Sequence, residues 1–349
     1  MGSCILAGDI GGTKTALALY RAGASPDDQG ITLAEQTFPN NQFSGLAEII
    51  RAFLADQEEQ PTHACFGIAG PVRANRVQMT NLDWHIDGSA LAAQLGLEEV
   101  LLVNDLVATT AGALVLPQEK LFPVNIGRTD TTGSIGVLAM GTGLGQSFAV
   151  PSNQANTHFQ PFPTEGGHVS FAPRNQEQIE LLQFLLRNSK KQASHISVEQ
   201  VCSGMALLSL YTFQCTRCQE PPWMAEKRRA TEPENLNPLI VEAANADIAG
   251  GPPCEPAIRA VQLLLDILAD ETANLALKIL ATGGIYLGGG MLFRLLVNLD
   301  TERFMKIFCR GVYQEMLAEI PIHIITEPKT ALFGACHLAM LAEKRDIAC

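Results

Sequence analysis

Basic residues are scarce in this sequence. Lys and Arg total 24 against 36 Asp and Glu, a formal net charge of −12. A surplus of that size repels phosphate backbones and anionic lipid through the field of the whole molecule, so neither nucleic acid nor a membrane surface is an expected partner. Cysteine is too thin for a disulfide scaffold. There are nine, at 4, 65, 202, 215, 218, 254, 309, 336 and 349, mostly alone among apolar neighbours as reduced core thiols would be, and their number is odd. Cys215 and Cys218 make one CxxC, without the second CxxC or spaced His pair that a zinc site needs. No uninterrupted apolar run reaches the length of a membrane span. The first run stops at Asp9 with no basic region before it, which is not a signal peptide. Gly2 does not open a myristoylation motif, because Leu6 stands where Ser or Thr is required. The expectation is a reduced, cytoplasmic protein. Apolar residues at 47% and charged residues at 17% are globular composition, and 349 residues leave room for two domains.

Apolar patterning gives the organisation. Residues 3–20 run from a short apolar segment through a glycine-rich turn into renewed alternation at Leu17 and Leu19, which predicts strand, turn, strand. Residues 44–55 carry helical spacing, residues 63–70 read as a buried strand ending in glycine, and residues 99–103 as another strand ending at Asn104-Asp105 before an apolar helix. Strands alternating with helices imply an α/β domain with parallel pairs. From Ser134 a strand enters Gly141-Thr-Gly-Leu-Gly145 and leaves through residues 146–150, repeating the form seen at residues 8–19. This predicts an internal duplication. Residues 176–188 and 198–214 are helical by periodicity, with Ser197 and Gln200 spaced as a capping box for the second. Prolines at 221, 222, 233, 238, 252, 253 and 256 predict surface loops around one short helix over residues 216–256. A long helix over 257–280, a strand-and-glycine run at 283–291 and a closing helix from Thr330 to Glu343 complete the chain.

Gly8-Asp-Ile-Gly-Gly-Thr-Lys-Thr15 nearly spells a P-loop, but Thr13 occupies the place of the second glycine and a strand follows instead of a helix. The same context excludes a dinucleotide-binding fingerprint. Gly11 and Gly12 let backbone N–H groups approach an anion, Thr13 adds a hydroxyl, Lys14 adds a charge, and Asp9 at the strand end suits Mg²⁺ held through water. Gly141–Gly145 makes a second such turn and Gly288–Gly290 a third surface of close approach. Three turns after separate strands fit a nucleotide clamped between two domains, although a lone glycine turn is simply a hairpin.

No Ser, His, Asp set and no nucleophilic Cys motif presents itself. Asp105 lies where ligands bind in an α/β sheet, at a strand's C-terminal end, but also where a helix takes its N-cap. Glu165-Gly-Gly-His168 implies a tight, shaped loop, which suits a sugar or merely the surface; no third ligand gives it metal spacing. Glu199 sits in a first helical turn, where an acid meets the macrodipole favourably. Trp84 fits either a sugar face or the core.

With these residues together, the chain resembles the bacterial-type glucokinases of the actin–hexokinase ATPase superfamily. The motifs follow in order: GDIGGTKT at 8–15, GIAGPV at 67–72, MTNLDW at 79–84, VNDLVA at 103–108, GTGLGQS at 141–147, TEGGHVSFAPR at 164–174, HISVEQVCSG at 195–204, GGIYLGGG at 283–290 and ITEPKTALFGACHL at 325–338. The resemblance implies a two-domain actin-like ATPase fold, a ribonuclease H-like duplication with an interdomain cleft. Its small α/β domain would be 1–113 plus 327–349 and its large one 114–326. It implies ATP-dependent phosphorylation of D-glucose to glucose 6-phosphate, the first step of glycolysis, with Asp105 as general base. Asn104, Glu165, His168 and Glu199 would bind the sugar. Gly8, Asp9, Ile10, Gly11, Gly12, Thr13, Lys14, Gly141, Thr142, Gly143, Gly288 and Gly289 would bind ATP with Mg²⁺, and the protein would be a homodimer. The regulator-and-kinase branch carries a cysteine-rich zinc motif after its acid-GGH loop. Here no cysteine falls between His168 and Cys202, so structural zinc is not expected, and with the phosphate turn at residues 8–15 a winged helix is not expected either. A kinase for another hexose or an amino sugar, one using polyphosphate, a non-catalytic sugar sensor and a filament-forming ATPase are the alternatives.

Overall fold

The computed structural model describes residues 3–21, 30–79, 82–152, 159–188 and 195–347, with side chains to residue 343. Gly2, Cys349 and positions 80–81 of MTNLDW lie outside the described residues. The chain divides into two compact units, Met1–Leu121 with His158–Pro163 and Glu327–Cys349, and Phe122–Thr157 with Thr164–Thr326.

The first unit has strands β1 (Cys4–Ile10), β2 (Lys14–Arg21), β3 (Ile31–Pro39), β4 (His63–Ile68), β5 (Arg76–Gln78), β6 (His85–Asp87) and β7 (Glu99–Asn104). β5 and β6 form a small hairpin, and the others make one sheet in the order β3-β2-β1-β4-β7. The β1–β2 and β2–β3 pairs are antiparallel, whereas β1–β4 and β4–β7 are parallel. Both faces of β1 are buried, which is why it reads as a continuous apolar run. Leu6 and Ile10 pack with Ile49, Phe53 and Leu91 from helices Leu46–Leu54 and Gly88–Leu95. Ile5 and Ala7 on the other face meet Leu332, Cys336 and Met340 of helix Thr330–Ile347. Trp84 takes the core alternative, only 7% exposed.

The remaining strands are β8 (Leu121–Asn125), β9 (Ile135–Met140), β10 (Leu144–Pro151), β11 (Phe159–Thr164), β12 (Gly284–Gly288) and β13 (Ile322–Ile325); the second unit's sheet runs in the order β10-β9-β12-β13-β8, while β11 as far as Pro163 is grouped with the first unit. β9 pairs antiparallel with β10 and parallel with β12, which pairs parallel with β13. This is the pattern of β2, β1, β4 and β7 over again. The two strand–glycine turn–strand segments seen in the sequence are the first hairpins of the two sheets, so the duplication is one of topology. Helix Glu255–Ile279 runs through this unit's core.

Two sequence expectations need correction. The helix expected over 198–214 is a 3-10 turn at Val198–Gln200, then turns, then a helix at Leu207–Cys215. The capping pair is real, Ser197 N–H donating to Gln200 Oε1 at 2.8 Å. The continuation fails because the Gly204 and Met205 N–H groups donate to the Gly141 and Thr142 carbonyls, at 2.9 and 3.0 Å. A tertiary pairing outbids a local periodicity there. Residues 216–256 hold two helices, Pro222–Ala230 and Leu236–Ala244, where loops around one helix were expected. Pro222 starts its helix at a first-turn position, where a missing N–H costs nothing. Smaller differences lie at element ends: the strand expected to Gly70 stops at Ile68, and the closing helix continues past Glu343.

Helices Asp105–Val115 and Thr330–Ile347 cross where there is no room for a side chain. A Cβ on Gly334 would lie 1.8 Å from the Ala108 carbonyl oxygen and 2.5 Å from Gly112 N. Both neighbours are backbone and neither can turn aside. Gly334→Ala should therefore lower unfolding free energy by at least about 2 kcal/mol through overpacking, seen as a lower denaturant midpoint; an unchanged midpoint would mean that the crossing is not this close.

Candidate active site

In the first unit the candidate residues collect at the C-terminal ends of parallel strands. Register places Asp9 beside Gly67 and Ile68 beside Asn104. The hairpin after β1 closes with Gly11 N–H donating to the Lys14 carbonyl at 3.0 Å. Thr13 and Lys14 are exposed and Gly11 and Gly12 half-buried, so the hydroxyl and ammonium lie at the surface while the Gly11 N–H is taken up by the hairpin itself. Gly8 and Ile10 differ from their neighbours, for both are buried and the Ile10 side chain belongs to the core. They shape the hairpin and have no side chain to offer a ligand. Loss of solvent around the Asp9 carboxyl pushes it above the usual carboxylate range, with Lys14 pulling it partly back.

Helix Asp105–Val115 starts at the end of β7, and Asn104, not Asp105, is its N-cap. Asn104 Oδ1 accepts from Leu106 N–H at 3.0 Å while its Nδ2 donates to the Gly70 carbonyl at 3.2 Å. Asp105 is the first helical residue, half-buried, with Oδ1 also 2.9 Å from Leu106 N. A carboxylate there is favoured by the helix N-terminus.

The second unit brings its candidates together. Glu165 precedes a 3-10 turn, Gly166–His168, that returns the chain so that His168 Nε2 lies 3.9 Å from Glu165 Oε2. His168 Nδ1 lies 4.0 Å from Glu199 Oε1. The other oxygen of Glu199 accepts from Leu144 N–H at 2.9 Å, directly after the Gly141–Gly143 turn. Glu199 is thereby fixed, while Glu165 and His168 stay exposed. Three hydrogen-bonding side chains thus converge beside a glycine turn, at spacings too wide to satisfy one another. That leaves Glu199 Oε1 and the exposed polar atoms of Glu165 and His168 for a polyhydroxyl ligand. Gly288 lies beside Ala139, one residue before Met140 at the end of β9, so the glycines of β12 adjoin the same end of the sheet. Gly288 itself is buried and Gly289 exposed.

Asn40 was not singled out by the sequence, and it holds the first hairpin. It is 1% exposed. Its Nδ2 donates to the Gly11 carbonyl at 2.9 Å, its Oδ1 accepts from Thr15 Oγ1 at 2.8 Å, and its N–H donates to the Thr13 carbonyl at 2.9 Å. An Asn-Asn pair after a strand reads as an ordinary turn, so no local signal distinguishes it. Among the described residues, no three His, Cys, Asp or Glu side chains are arranged to hold a metal ion, and none of the helices is long and apolar enough to cross a membrane.

The family model described as Glucokinase matches residues 6–342. The glucokinase of Nostoc punctiforme is 36% identical over 342 residues, covering 95% of this chain and 97% of the relative. That of Photorhabdus laumondii subsp. laumondii is 31% identical over 331 residues, covering 95% of each chain. Among solved structures, a glucokinase from an Antarctic psychrotroph matches with a TM-score of 0.82 at 27% identity, covering 98% of this chain and all of that one. A glucokinase of the ROK family from Streptomyces griseus, in complex with glucose and AMPPNP, shares the fold with a TM-score of 0.64 at 20% identity, over 97% of this chain and 100% of that one. The repeated sheet topology is that of the actin-like ATPases. On its sequence and its fold alike, the chain belongs to the glucokinase family.

Proposed function

We propose that this chain transfers the γ-phosphoryl group of ATP to the 6-hydroxyl of D-glucose. The observation that carries the reading is the convergence of Glu165, His168 and Glu199 beside the Gly141–Gly143 turn, in a chain of the glucokinase family. Sites built to pair each substrate hydroxyl reject analogues strongly, because their own polar groups are otherwise left unpaired. Glu165, His168, Glu199 and Asn104 take the sugar hydroxyls. The hairpin of residues 8–15 and the turn at 141–143 take the ATP phosphates, with Gly288 and Gly289 beside the nucleoside.

Phosphoryl transfer passes through a loose transition state, so catalysis is mostly positioning and charge stabilisation. A carboxylate is far too weak a base to hold a sugar hydroxyl's proton in advance. Asp105 therefore orients the 6-hydroxyl and receives its proton as the phosphoryl group moves. The lone carboxylate of Asp9 fits Mg²⁺, which keeps several waters and is usually held by one or two carboxylates together with substrate phosphates. Mg²⁺ bound with ATP neutralises phosphate charge. A cytoplasmic homodimer completes the reading, by family resemblance; sedimentation tests the dimer.

Glucose-dependent ADP release with Mg-ATP tests the activity, with mannose, fructose, N-acetylglucosamine and no sugar as comparisons; turnover confined to another sugar would move the assignment. Asp105→Asn should leave the fold and glucose KM nearly unchanged and lower kcat by about 10²–10⁴-fold. Near-normal turnover would remove Asp105 from the proton-accepting role.

Asp9 yields a prediction with a pH dependence. Its carboxyl lies above the usual range because burial disfavours the charge, so the folded state holds this proton more tightly than the unfolded chain does. Stability falls as pH rises from the unfolded pKa through the folded one. Asp9→Asn, which stays neutral, should unfold at a higher temperature than the parent at neutral pH without ATP or Mg²⁺. The gap should close as pH falls below the ordinary carboxylate range, while kcat drops. A gap independent of pH would show that ionisation of Asp9 is not its cause.

A further inference from the structure

Helix Glu255–Ile279 carries three acidic side chains among its buried residues, Asp266, Asp270 and Glu271. A buried carboxylate is costly unless paired and hydrogen-bonded, and each has partners. Arg303 reaches both oxygens of Asp266, at 2.7 and 2.6 Å. Asp270 accepts from Arg310 Nη1 at 2.8 Å and Gln178 Nε2 at 3.0 Å, and lies 2.9 Å from Arg174 Nε. Glu271, 3% exposed, accepts from Gln146 Nε2 at 2.9 Å and, through its other oxygen, from Asn274 Nδ2 at 2.8 Å.

Two of these partners bracket the loop that presents Glu165 and His168. Gln146 is 2% exposed on β10. Its carbonyl accepts from Thr164 Oγ1 at 2.9 Å, and that oxygen accepts from Gly166 N–H at 3.0 Å. A Cβ on Gly166 would fall 2.4 Å from Gln146 Oε1 and 2.7 Å from its Cδ, so the loop backbone lies directly on the carboxamide. Because Gln146 Nε2 donates to Glu271, the amide stands with its nitrogen toward the helix and Oε1 toward Gly166. At the loop's other end, Arg174 N–H donates to Gln178 Oε1 at 2.7 Å while its guanidinium meets Asp270. One helix thus holds residues 164–174 at both ends.

We propose that Gln146 and Glu271 are positioning residues for sugar recognition. They set the backbone of Glu165–His168 so that both side chains meet the fixed Glu199 in the arrangement that takes a hexose. An apolar pair would fill this volume at less desolvation cost; a fully paired polar network instead specifies one arrangement. The inference rests on the glucose kinase reading above.

The test uses Gln146→Leu, Glu271→Gln and Glu271→Leu in the full chain, each first shown to unfold cooperatively. Amide hydrogen exchange in the ligand-free protein should be about tenfold faster over residues 164–168 in Gln146→Leu than in the parent. Glucose KM should rise about tenfold with ATP KM within about twofold. Glu271→Gln keeps an acceptor for Gln146 Nε2 and should stay nearer the parent than Glu271→Leu in both readouts. Unchanged loop exchange in folded Gln146→Leu overturns the proposal, and so does a shift of both KM values together. Should Gln146→Leu not fold, the two Glu271 variants decide, and equal loop exchange in them overturns it. If the unsubstituted chain turns over no glucose, the kinase reading fails on its own account and loop exchange still decides the positioning role.

Discussion

Parallel pairing places Asp9 beside Gly67 and Ile68 beside Asn104, and the first unit's chemistry depends on that register. At these strand ends the chain leaves the sheet, and backbone N–H groups of the next turn or helix are left for a ligand. A slip of one residue would reverse every side chain, turning Asp9 toward the opposite layer and Ile10 out of its core. With both faces of β1 packed against helices, such a slip would drive each aliphatic side chain into the packed layer built for its neighbours. The same constraint acts in the second unit, where Gly288 lies beside Ala139 and the glycines of β12 adjoin the end of β9.

Around these strand ends the protein buries polar groups that a purely stabilising design would avoid. Asn40 is enclosed to tie the hairpin of residues 11–15, and Gln146 and Glu271 are enclosed beneath Gly166. Asp9 sits where its charge is disfavoured. Local conflicts of this kind are expected at functional positions. Asn40 and the Gln146–Glu271 pair are compensated by specific partners from distant parts of the chain.

Much of the architecture could be read locally. The apolar run of β1, its glycine turn and the alternation of β2 announced a hairpin, and residues 134–150 announced its counterpart. The run over 99–103 and the polar pair after it marked a strand entering a helix, with the cap on Asn104 instead of Asp105. Glu165 and His168 were legible because two adjacent glycines force a tight turn, which the 3-10 geometry provides. Local reading failed where distant backbone competes. Gly204 and Met205 abandon helical pairing for the carbonyls of Gly141 and Thr142, and nothing near residue 204 records those acceptors. The prolines of residues 216–256 misled for another reason, since a proline in a first helical turn is a helix start as readily as a breaker.

What this sequence determined by itself was the set of elements and the chemistry they carry: hydrophobic period, turn glycines and polar residues at strand ends are all written within a few residues of one another. The tertiary structure alone decided which of those polar groups meet. Glu199 comes within reach of His168, and Gln146 within reach of Glu271, across separations of 31 and 125 residues in the chain. Such pairings depend on how strands and helices pack, and packing is a property of the whole unit that no local window contains.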